Sequence, residues 1–539
     1  MSTNIAEEST PVDNIAKFQV DDWTKLNRLI CIGCEGNTYY STSKQLTIDN
    51  MKSALTLIKR EGVKVVNLVV EISDSGRGIK NDPAIAVLAM AAAHGDEATR
   101  KAALAAVPKV CRIGTHMYQF AEMVQSFRGW GRGVRNAVGK FFTDRSVEKL
   151  AMQVLKYQAR NVSEGDKARW SAKDLLILSH PKIKNDNQSE NRKILFDYIM
   201  DRDEKAIAAS KANGHNVLSK IEAAKKLPIL KDFESLKVET DIKKIVQVIE
   251  KHKFPRECVP TQFQQNSEVQ EALLDNGIGA TALIRNLGNM SASGLLQSGS
   301  KGASKVISKL RDMQYLKSGR IHPIHILMAM KQYAAGHGLK SSKTWEVNAD
   351  VVDALDEAFY NSFGLIEPSN KKQLLALDVS GSMSYSGNVG GIPDFTPREA
   401  SAAMALITKA TEKENAIIHG FSSTFVPINI SPKQRLNDAV KAVSDLPFAG
   451  TDCGLPMKYA LAKNLEVEAF VVYTDSETMG NPMAELRKYR EKTGIPAKLI
   501  VVGMVANNVS ICDPNDAGTL NVSGFDAGVP QVIANFIKE

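Results

Sequence analysis

The sequence predicts a protein of two domains: an α-solenoid of stacked antiparallel helix pairs, followed by an α/β domain with a doubly wound parallel sheet. At 539 residues the chain is too long for one ordinary hydrophobic core. Up to about residue 368, apolar residues recur at three- and four-residue spacing, which indicates amphipathic helices. Beyond that point short apolar runs alternate with helical segments, and this alternation predicts parallel strands covered on both faces.

The first domain is expected over residues 21–368, after a polar segment at 1–20 that predicts a disordered tail. Its helices carry one apolar stripe each and are joined mostly by short connections, which favours helix pairs of the HEAT type. Capping residues such as Ser146 and Ser171 mark helix starts. No strict repeat is visible, so an irregular helical bundle is the alternative. Helices are predicted at 21–32, 48–70, 84–93, 98–110, 147–157, 173–179, 269–290, 305–316 and 321–333.

The second domain is expected over residues 369–539, after the turn-forming cluster at 368–370. In parallel sheets of this kind, ligands bind at the carboxyl ends of the strands near the topological switch point. Strands are predicted at 374–379, 416–421, 469–474 and 498–504, and helices at 400–410, 436–443, 455–462, 483–489 and 529–537.

Five oxygen-bearing side chains follow three of these apolar runs and predict a metal site. Asp378, Ser380 and Ser382 form a D-x-S-x-S pattern at the end of the first strand, Thr451 lies in a glycine-flanked loop, and Asp475 ends a buried strand. Carboxylate and hydroxyl oxygens are hard ligands that suit Mg²⁺ or Mn²⁺. Water would complete the coordination and leave a position open for a partner's carboxylate. The alternative is that these residues only cap strands and turns.

This constellation resembles the metal-ion-dependent adhesion site of the von Willebrand factor A family. A catalytic interpretation of the same residues is weaker, because the serines do not stand in G-x-S-x-G and no histidine follows in the expected order. His419 is predicted to pack in a strand and not to act as a base. The glycines at 387, 390 and 391 form a loop but no P-loop, since no G-K-[ST] follows them.

The positive charge of the chain lies entirely before the second domain. From Lys371 onward there are 16 Lys+Arg against 18 Asp+Glu, and the totals of 68 and 60 therefore leave 52 against 42 before it. This excess favours a polyanionic partner for the first domain. A solvated surface that happens to be basic is the alternative.

One stretch concentrates these cations on predicted helix faces. In GWGRGVRNAVGKFF (129–142), an apolar stripe lies opposite a cationic face that can contact phosphates. Two more cations stand four residues apart on the next helix, and DKARWSAKDLLILSHPKIK continues the series. An ordinary solvated face is the alternative for any one of these helices. The candidate phosphate-contacting residues are Arg132, Arg135, Lys140, Lys156, Arg160, Lys173 and His180.

Several unusual segments occur in an order that resembles the Ro autoantigen family. They are EGNTYY (35–40), VPKVCRIGTH (107–116), LSHPK (178–182), TALIRNLGNM (281–290), RIHPIHIL (320–327) and GIPAKLIVVGM (494–504). The resemblance spans nearly the whole chain. It implies a TROVE domain, a closed ring of HEAT-like helical repeats, joined to a von Willebrand factor A domain.

The resemblance also implies a function in RNA quality control and stress survival. Members of the family bind Y RNAs on the outer surface of the ring and take the 3′ ends of misfolded small non-coding RNAs into its hole. Carried over by local match, the Y RNA surface includes Lys156, Arg160 and His180, together with Arg132 and Arg135. The stretch at 161–170 is longer than the family pattern. From the resemblance as a whole we expect this protein to be a ribonucleoprotein component and not an enzyme.

Composition indicates the cellular compartment, and one alternative function stays open. Six cysteines in 539 residues make no disulfide framework, and no apolar run is long enough for a membrane span, so a cytoplasmic protein is expected. A protein is expected to dock at the metal site, such as an exoribonuclease in a bacterial setting. The alternative function is a metal-dependent protein-interaction scaffold without a primary RNA role.

Overall fold

The computed structural model describes residues 18–41, 46, 48–158, 170–339, 342–446, 450–475, 478–505 and 511–539. The chain divides into two compact units. The helical unit comprises Lys52–Ile278 and Ala292–Leu295, and the sheet unit comprises the N-terminal segment to Met51 together with Gly279–Ser291 and Leu296–Glu539. The boundary predicted at residue 368 from sequence texture therefore stays a prediction, since contacts group the chain differently.

The helical unit is built from amphipathic helices that pack on their neighbours and on the next helix but one. This pattern of contacts is typical of stacked helix pairs. After α1 (Asp22–Ile32) in the sheet unit, the helices are α2 (Lys52–Ser75), α3 (Asp82–His94), α4 (Glu97–Val110), α5 (Gly114–Phe127), α6 (Arg132–Thr143), α7 (Val147–Lys156), α8 (Ala172–Ser179), α9 (Ser189–Met200), α10 (Glu204–Ala212), α11 (Lys220–Lys226), α12 (Pro228–Leu236), α13 (Ile242–His252) and α14 (Ser267–Asp275).

Local capping explains where several of these helices begin. The Ser146 side chain accepts a hydrogen bond from the Lys149 amide, as the sequence predicts for the start of α7. At the start of α8, Ser171 and Asp174 form a reciprocal capping box. Helix α3 differs from the others because it is apolar on all sides, and every residue from Pro83 to Ala93 is buried. It therefore lies at the centre of its neighbours and not at a surface.

The sheet unit contains one seven-stranded sheet in the order β1-β7-β6-β5-β2-β3-β4. All its pairs are parallel except β3 with β4. The strands are β1 (Thr38–Tyr40), β2 (Gln373–Asp378), β3 (Ala416–Phe421), β4 (Phe425–Pro427), β5 (Ala469–Thr474), β6 (Lys498–Gly503) and β7 (Thr519–Ser523). The helices are α15 (Ala280–Ala292), α16 (Lys301–Arg311), α17 (Met313–Ser318), α18 (Pro323–Ala334), α19 (Ala349–Asn361), α20 (Pro397–Glu412), α21 (Leu436–Ser444), α22 (Leu455–Ala462), α23 (Pro482–Thr493) and α24 (Val529–Lys538).

The central strands are buried along their whole length, so both faces of the sheet are covered. Every residue of β2 and β5 is buried, as expected for parallel strands between helices. The four predicted strands are confirmed to within one residue of their observed ends. The sequence did not indicate β1, β4 and β7, each of which has only three to five residues.

The N-terminal segment supplies the edge strand of this sheet. Strand β1 pairs in parallel with β7, with Thr38 opposite Asn521 and Tyr40 opposite Ser523. The Asn37 side-chain amide donates to the Asp513 carbonyl at 3.0 Å. These contacts place Asn37 and Thr38–Tyr40 of the EGNTYY segment at the edge of the sheet, although the sequence assigned them to the helical domain.

A buried ion pair fixes the start of the described chain against the same edge. Arg490 contacts Asp516 at 2.6 Å, with only 8% and 12% of the two side chains exposed. The Arg490 guanidinium also stacks over the Phe18 ring, 3.7 Å from its centroid, and Gln19 forms a β-bridge with Asp516. The tail predicted over 1–20 therefore ends earlier than expected, because Phe18 and Gln19 are packed. Residues 1–17 lie outside the described residues.

His419 is buried in β3, with 4% of its surface exposed. Its ring stacks on Phe425 with centroids 4.5 Å apart and contacts Tyr459 with centroids 4.7 Å apart. Burial lowers the pKa of His419 to about 4, so the ring is neutral at pH 7. The prediction that His419 packs in a strand is confirmed.

None of the helices in the described ranges combines the length and the apolar character that crossing a bilayer would require.

Breaking the Arg490–Asp516 pair is expected to destabilise the sheet unit. Arg490→Ala leaves a buried carboxylate without its partner, which costs about 3 kcal/mol in the free energy of unfolding. Chemical denaturation measures this difference. The control is Arg487→Ala on the same helix, where the side chain is exposed and a change within about 0.5 kcal/mol is expected. Equal effects of the two substitutions would contradict the assignment.

The buried imidazole of His419 is expected to make stability depend on acid pH. The unfolded chain takes up a proton near pH 6.5 and the folded chain only near pH 4. The free energy of unfolding therefore falls as the pH drops through this range, by about 2 to 3 kcal/mol from this residue. Denaturation of the parent protein and of His419→Leu between pH 4 and 7 isolates the contribution. Parallel pH profiles for the two proteins would rule it out.

Candidate functional site

Asp378 ends strand β2 and is fully buried. One carboxylate oxygen accepts a hydrogen bond from the Ser380 amide and the other from the Thr474 hydroxyl, both at 2.8 Å. Burial raises the pKa of Asp378, the neighbouring Asp475 adds to this, and the hydrogen bonds from Ser380 and Thr474 oppose it. The carboxylate thus ties the loop after β2 to the end of β5.

The loop after β2 is also held by Arg398, which the sequence did not single out. Its guanidinium donates to the Val379 carbonyl at 3.1 Å and to the Ser380 carbonyl at 2.9 Å. Only 8% of Arg398 is exposed, and burial lowers its pKa. Arg398 lies at the start of α20, directly after Pro397. With the loop fixed in this way, the Ser380 and Ser382 hydroxyl oxygens lie 3.0 Å apart.

Three of the predicted ligands line one cavity of about 720 Å³. Ser382, Thr451 and Asp475 reach it from three separate loops, while Asp378 and Ser380 are buried. The remaining lining residues are Ser41, Ser386, Gly387, Asn388, Gly390, Gly391, Met504, Val505, Gly524 and Phe525. The fold therefore brings together side chains that stand almost one hundred residues apart in the sequence.

The glycine loop after the first motif forms one wall of this cavity. Gly390 has a φ of +61°, and a Cβ atom there would lie 2.9 Å from the Met328 side chain. The left-handed backbone conformation therefore favours glycine at this position, whereas the flexible end of the Met328 side chain could move to admit a Cβ atom. Gly387 and Gly391 also have positive φ, which explains why the loop contains three glycines.

The donor set fits a hard divalent cation. Its members are two carboxylates and three hydroxyls, with no thiolate or imidazole. No group of three or more His, Cys, Asp or Glu side chains suited to a metal ion occurs within the described ranges. The predicted site contains only two such residues, so it depends on the hydroxyls. Ser382, Thr451 and Asp475 on the cavity wall are the groups that would hold the ion.

Two exposed apolar side chains lie in the loops that carry the predicted ligands. Tyr385 follows Ser382 in its loop and is 78% exposed, and Met479 follows Asp475 and is 85% exposed. The Met479 amide donates to the Thr451 carbonyl at 2.8 Å, which joins two of the loops. Both side chains are therefore available for contact with another molecule beside the cavity.

Helix α6 presents the cationic face that its sequence predicts. Arg132, Arg135 and Lys140 are exposed, while Val134, Ala137, Val138 and Phe141 are buried on the opposite side. None of the three cations forms an ion pair with a carboxylate in the described part of the chain. Their charges therefore face solvent.

The next two predicted cations differ from those on α6. Lys156 is partly buried, contacts Glu257 at 3.5 Å and lies 5.7 Å from the Tyr157 ring centroid. Its positive charge is thus partly balanced by the carboxylate of Glu257, which is close in space but about one hundred residues away in sequence. Arg160 lies outside the described residues.

Lys173 and His180 lie at opposite ends of α8, and both are exposed. The Lys173 ammonium is 3.5 Å from the Asp201 carbonyl oxygen. His180 ends the helix with a left-handed backbone, φ +44°. Lys182, two residues further on, is exposed as well.

Helices α6 and α8 pack side by side and run in the same direction. Before their first turns, the Trp130 and Trp170 rings stack with centroids 5.8 Å apart and planes 4° apart. At their far ends, a Cβ atom on Gly139 would lie 3.5 Å from Cβ of Pro181. Lys140 follows Gly139 and His180 precedes Pro181 in the sequence. These two exposed residues therefore lie in the same region of the surface. We call the exposed residues of α6 and α8, with Lys182, the basic face.

Comparison with known proteins covers both units. A model of the TROVE domain matches residues 12–333, and a model of the Ro60 vWA domain matches residues 372–537. The chain is 36% identical to a protein named RNA-binding protein RO60 from Deinococcus radiodurans, over 97% of this chain and 93% of that protein. A protein of the same name from Caenorhabditis elegans is 34% identical, over 96% and 88%.

A solved structure agrees with the same assignment. The crystal structure of the Deinococcus radiodurans RO (RSR) protein aligns with a TM-score of 0.83 at 35% identity, over 96% of this chain and 99% of that one. The expected combination of a helical domain and a von Willebrand factor A domain is thereby confirmed. Since one family model covers more than half of the chain and two relatives exceed 30% identity over nearly all of it, the chain belongs to the Ro60 family of TROVE-domain proteins.

Proposed function

We propose that this protein binds structured small RNAs through the basic face of its helical unit. The single observation that carries the proposal is the alignment of exposed cations on α6 and α8, of which Arg132 and Arg135 form no ion pair with a carboxylate among the described residues. Two relatives bear the name of RNA-binding proteins, which supports the same ligand class. In this proposal Y RNAs are the ligands of the basic face.

The mechanism of capture is electrostatic. Cations on two parallel helices can each contact a phosphate and release its counterions, which gives affinity with little sequence preference. Duplex RNA offers its backbone and 2′-hydroxyls more readily than its base edges, so shape and charge dominate. Lys156, already paired with Glu257, contributes less than Arg132 or Arg135.

The finer part of the proposal concerns misfolded RNA. Single-stranded 3′ ends of misfolded small non-coding RNAs are the second ligand class, bound in the hole of the ring that the family resemblance implies. A sensor of misfolding must recognise RNAs of many sequences. Selection by charge and by an accessible single-stranded end meets this need, because neither feature depends on one sequence. The protein would then act in RNA quality control and stress survival in the cytoplasm, as a binding protein without catalysis.

A second function is proposed for the metal site, as a docking point for a protein. The cavity wall supplies Ser382, Thr451 and Asp475, and a bound Mg²⁺ or Mn²⁺ would offer an open position to a partner's carboxylate. Exposed Tyr385 and Met479 in the adjacent loops favour a protein partner, because apolar side chains anchor protein interfaces. An exoribonuclease is the candidate partner in a bacterial setting.

Removing two cations of the basic face is expected to weaken RNA binding and its salt dependence. In Arg132→Ala/Arg135→Ala, affinity for a structured RNA should fall roughly tenfold at physiological salt. The slope of log K against log salt should become shallower by about 2, because each of the two arginines neutralises one phosphate in the parent protein. Filter binding at several salt concentrations measures both quantities.

The matched control removes two cations from the sheet unit. Lys371 and Lys372 are paired with Glu468 at 2.8 Å and Glu466 at 3.1 Å, so Lys371→Ala/Lys372→Ala changes the net charge equally. This variant should bind RNA as the parent protein does. Equal decreases in affinity for the two double variants would show that overall charge, and not the basic face, determines binding.

Thr451→Val is expected to weaken binding of Mg²⁺ or Mn²⁺ at the metal site. The substitution keeps the shape of the side chain but removes its hydroxyl oxygen, and metal affinity should fall at least about tenfold. Calorimetric titration with Mn²⁺ measures the decrease. RNA affinity should stay unchanged.

Ser386→Ala serves as the control, because Ser386 lines the same cavity but is not one of the predicted ligands. Its metal affinity should match that of the parent protein. If the two substitutions acted alike, or if Thr451→Val abolished RNA binding in a folded protein, the assignment of ligands or the separation of the two functions would be wrong.

A further inference from the structure

A stacked pair of tryptophans stands at the start of the basic face. The rings of Trp130 and Trp170 are nearly parallel, with an interplanar angle of 4° and centroids 5.8 Å apart. Both residues are only partly buried. All four tryptophans of the chain are partly buried, as is usual for so large a side chain, so part of each of these two rings remains accessible to a ligand.

The pair is continuous with the phosphate-contacting residues. Trp130 stands two residues before Arg132, and Trp170 three before Lys173, so each ring lies beside the first turn of a helix of the basic face. Ile177, also on the outer side of α8, is 40% exposed. The basic face therefore combines cations with apolar side chains, and is not a purely charged surface.

One polar atom of the pair is shielded from water. Nε1 of Trp130 is buried and has no hydrogen-bond partner in the part of the chain that the structure describes. The indole of Trp130 therefore offers carbon to its surroundings and not a hydrogen-bond donor. Carbon surfaces of this kind stack on the flat face of any nucleobase and do not distinguish one base from another.

We propose that the Trp130–Trp170 pair is a stacking platform for one unpaired nucleobase of the bound RNA, such as a bulged nucleotide. The inference rests on the proposed RNA binding by the basic face and adds a specificity to it. Cations hold the backbone of the duplex, and the platform receives a base that has left the helix. RNA with an unpaired base next to a duplex binds more tightly than a perfect duplex.

A double-mutant cycle between protein and RNA tests the platform. The RNAs are a hairpin with one bulged adenosine and the same hairpin with an abasic bulge. The parent protein should bind the abasic hairpin about tenfold more weakly, the decrease typical of one stacked base. Trp170→Leu should bind both hairpins with the same, weaker affinity. A Trp170→Leu protein that still prefers the adenosine hairpin by the parent's factor would overturn the proposal.

A second variant separates stacking from a structural role. Trp170→Tyr keeps an aromatic face, so it should retain most of the preference for the adenosine bulge, whereas a preference as low as in Trp170→Leu would count against stacking. Circular dichroism and thermal unfolding report whether each variant is folded. If the parent protein bound neither hairpin, the proposed RNA function would fail. If the parent protein bound the two hairpins equally, the stacking platform would be wrong, while the proposed RNA binding would stand.

Discussion

The pairing of β1 with β7 is the constraint on which the rest of the structure depends. It joins Thr38–Tyr40 to Thr519–Ser523, strands separated by nearly the whole chain. The segment between the two paired strands contains the whole helical unit, Lys52–Ile278 with Ala292–Leu295, and most of the sheet unit. The buried Arg490–Asp516 pair and Phe18 reinforce the same edge. Closing so long a loop costs entropy, which the buried contacts at this edge offset, and strand β7 is no longer an exposed edge.

Much of the fold could be predicted because its signals are local. The strands at 416–421 and 469–474 are continuous apolar runs, and the helices at Ser146 and Ser171 start at capping residues. The edge strand could not be predicted. Its three residues are too few to show a period, and its partner TLNVS alternates weakly and is buried through tertiary contacts. The same limit hid the ordered Phe18, whose partner Arg490 stands more than 470 residues away.

The candidate sites also contain features that the sequence could predict and features that it could not. The five predicted metal ligands come from three short motifs, and three of them line one cavity, but Arg398, which holds their loop, carried no signal because its partners are backbone carbonyls. On α6, helical periodicity correctly predicted that the cations lie opposite the buried apolar stripe. It could not show that Lys156 pairs with Glu257, or that Trp130 and Trp170 stack, since both contacts join distant segments. The proposed metal site and the proposed basic face thus lie in different units and use different chemistry, so we predict that either can be removed without the other.

The most direct test of the account is to map where RNA touches the protein. Ultraviolet crosslinking of a bound structured RNA, followed by mass spectrometry of the crosslinked peptides, reports contacts without altering any residue. The account predicts crosslinks in the peptides that contain residues 129–142 and 170–182, with the tryptophans among the modified residues. Crosslinks confined to residues 372–537 would contradict it, because RNA would then bind the von Willebrand factor A domain and the basic face would have no part in capture.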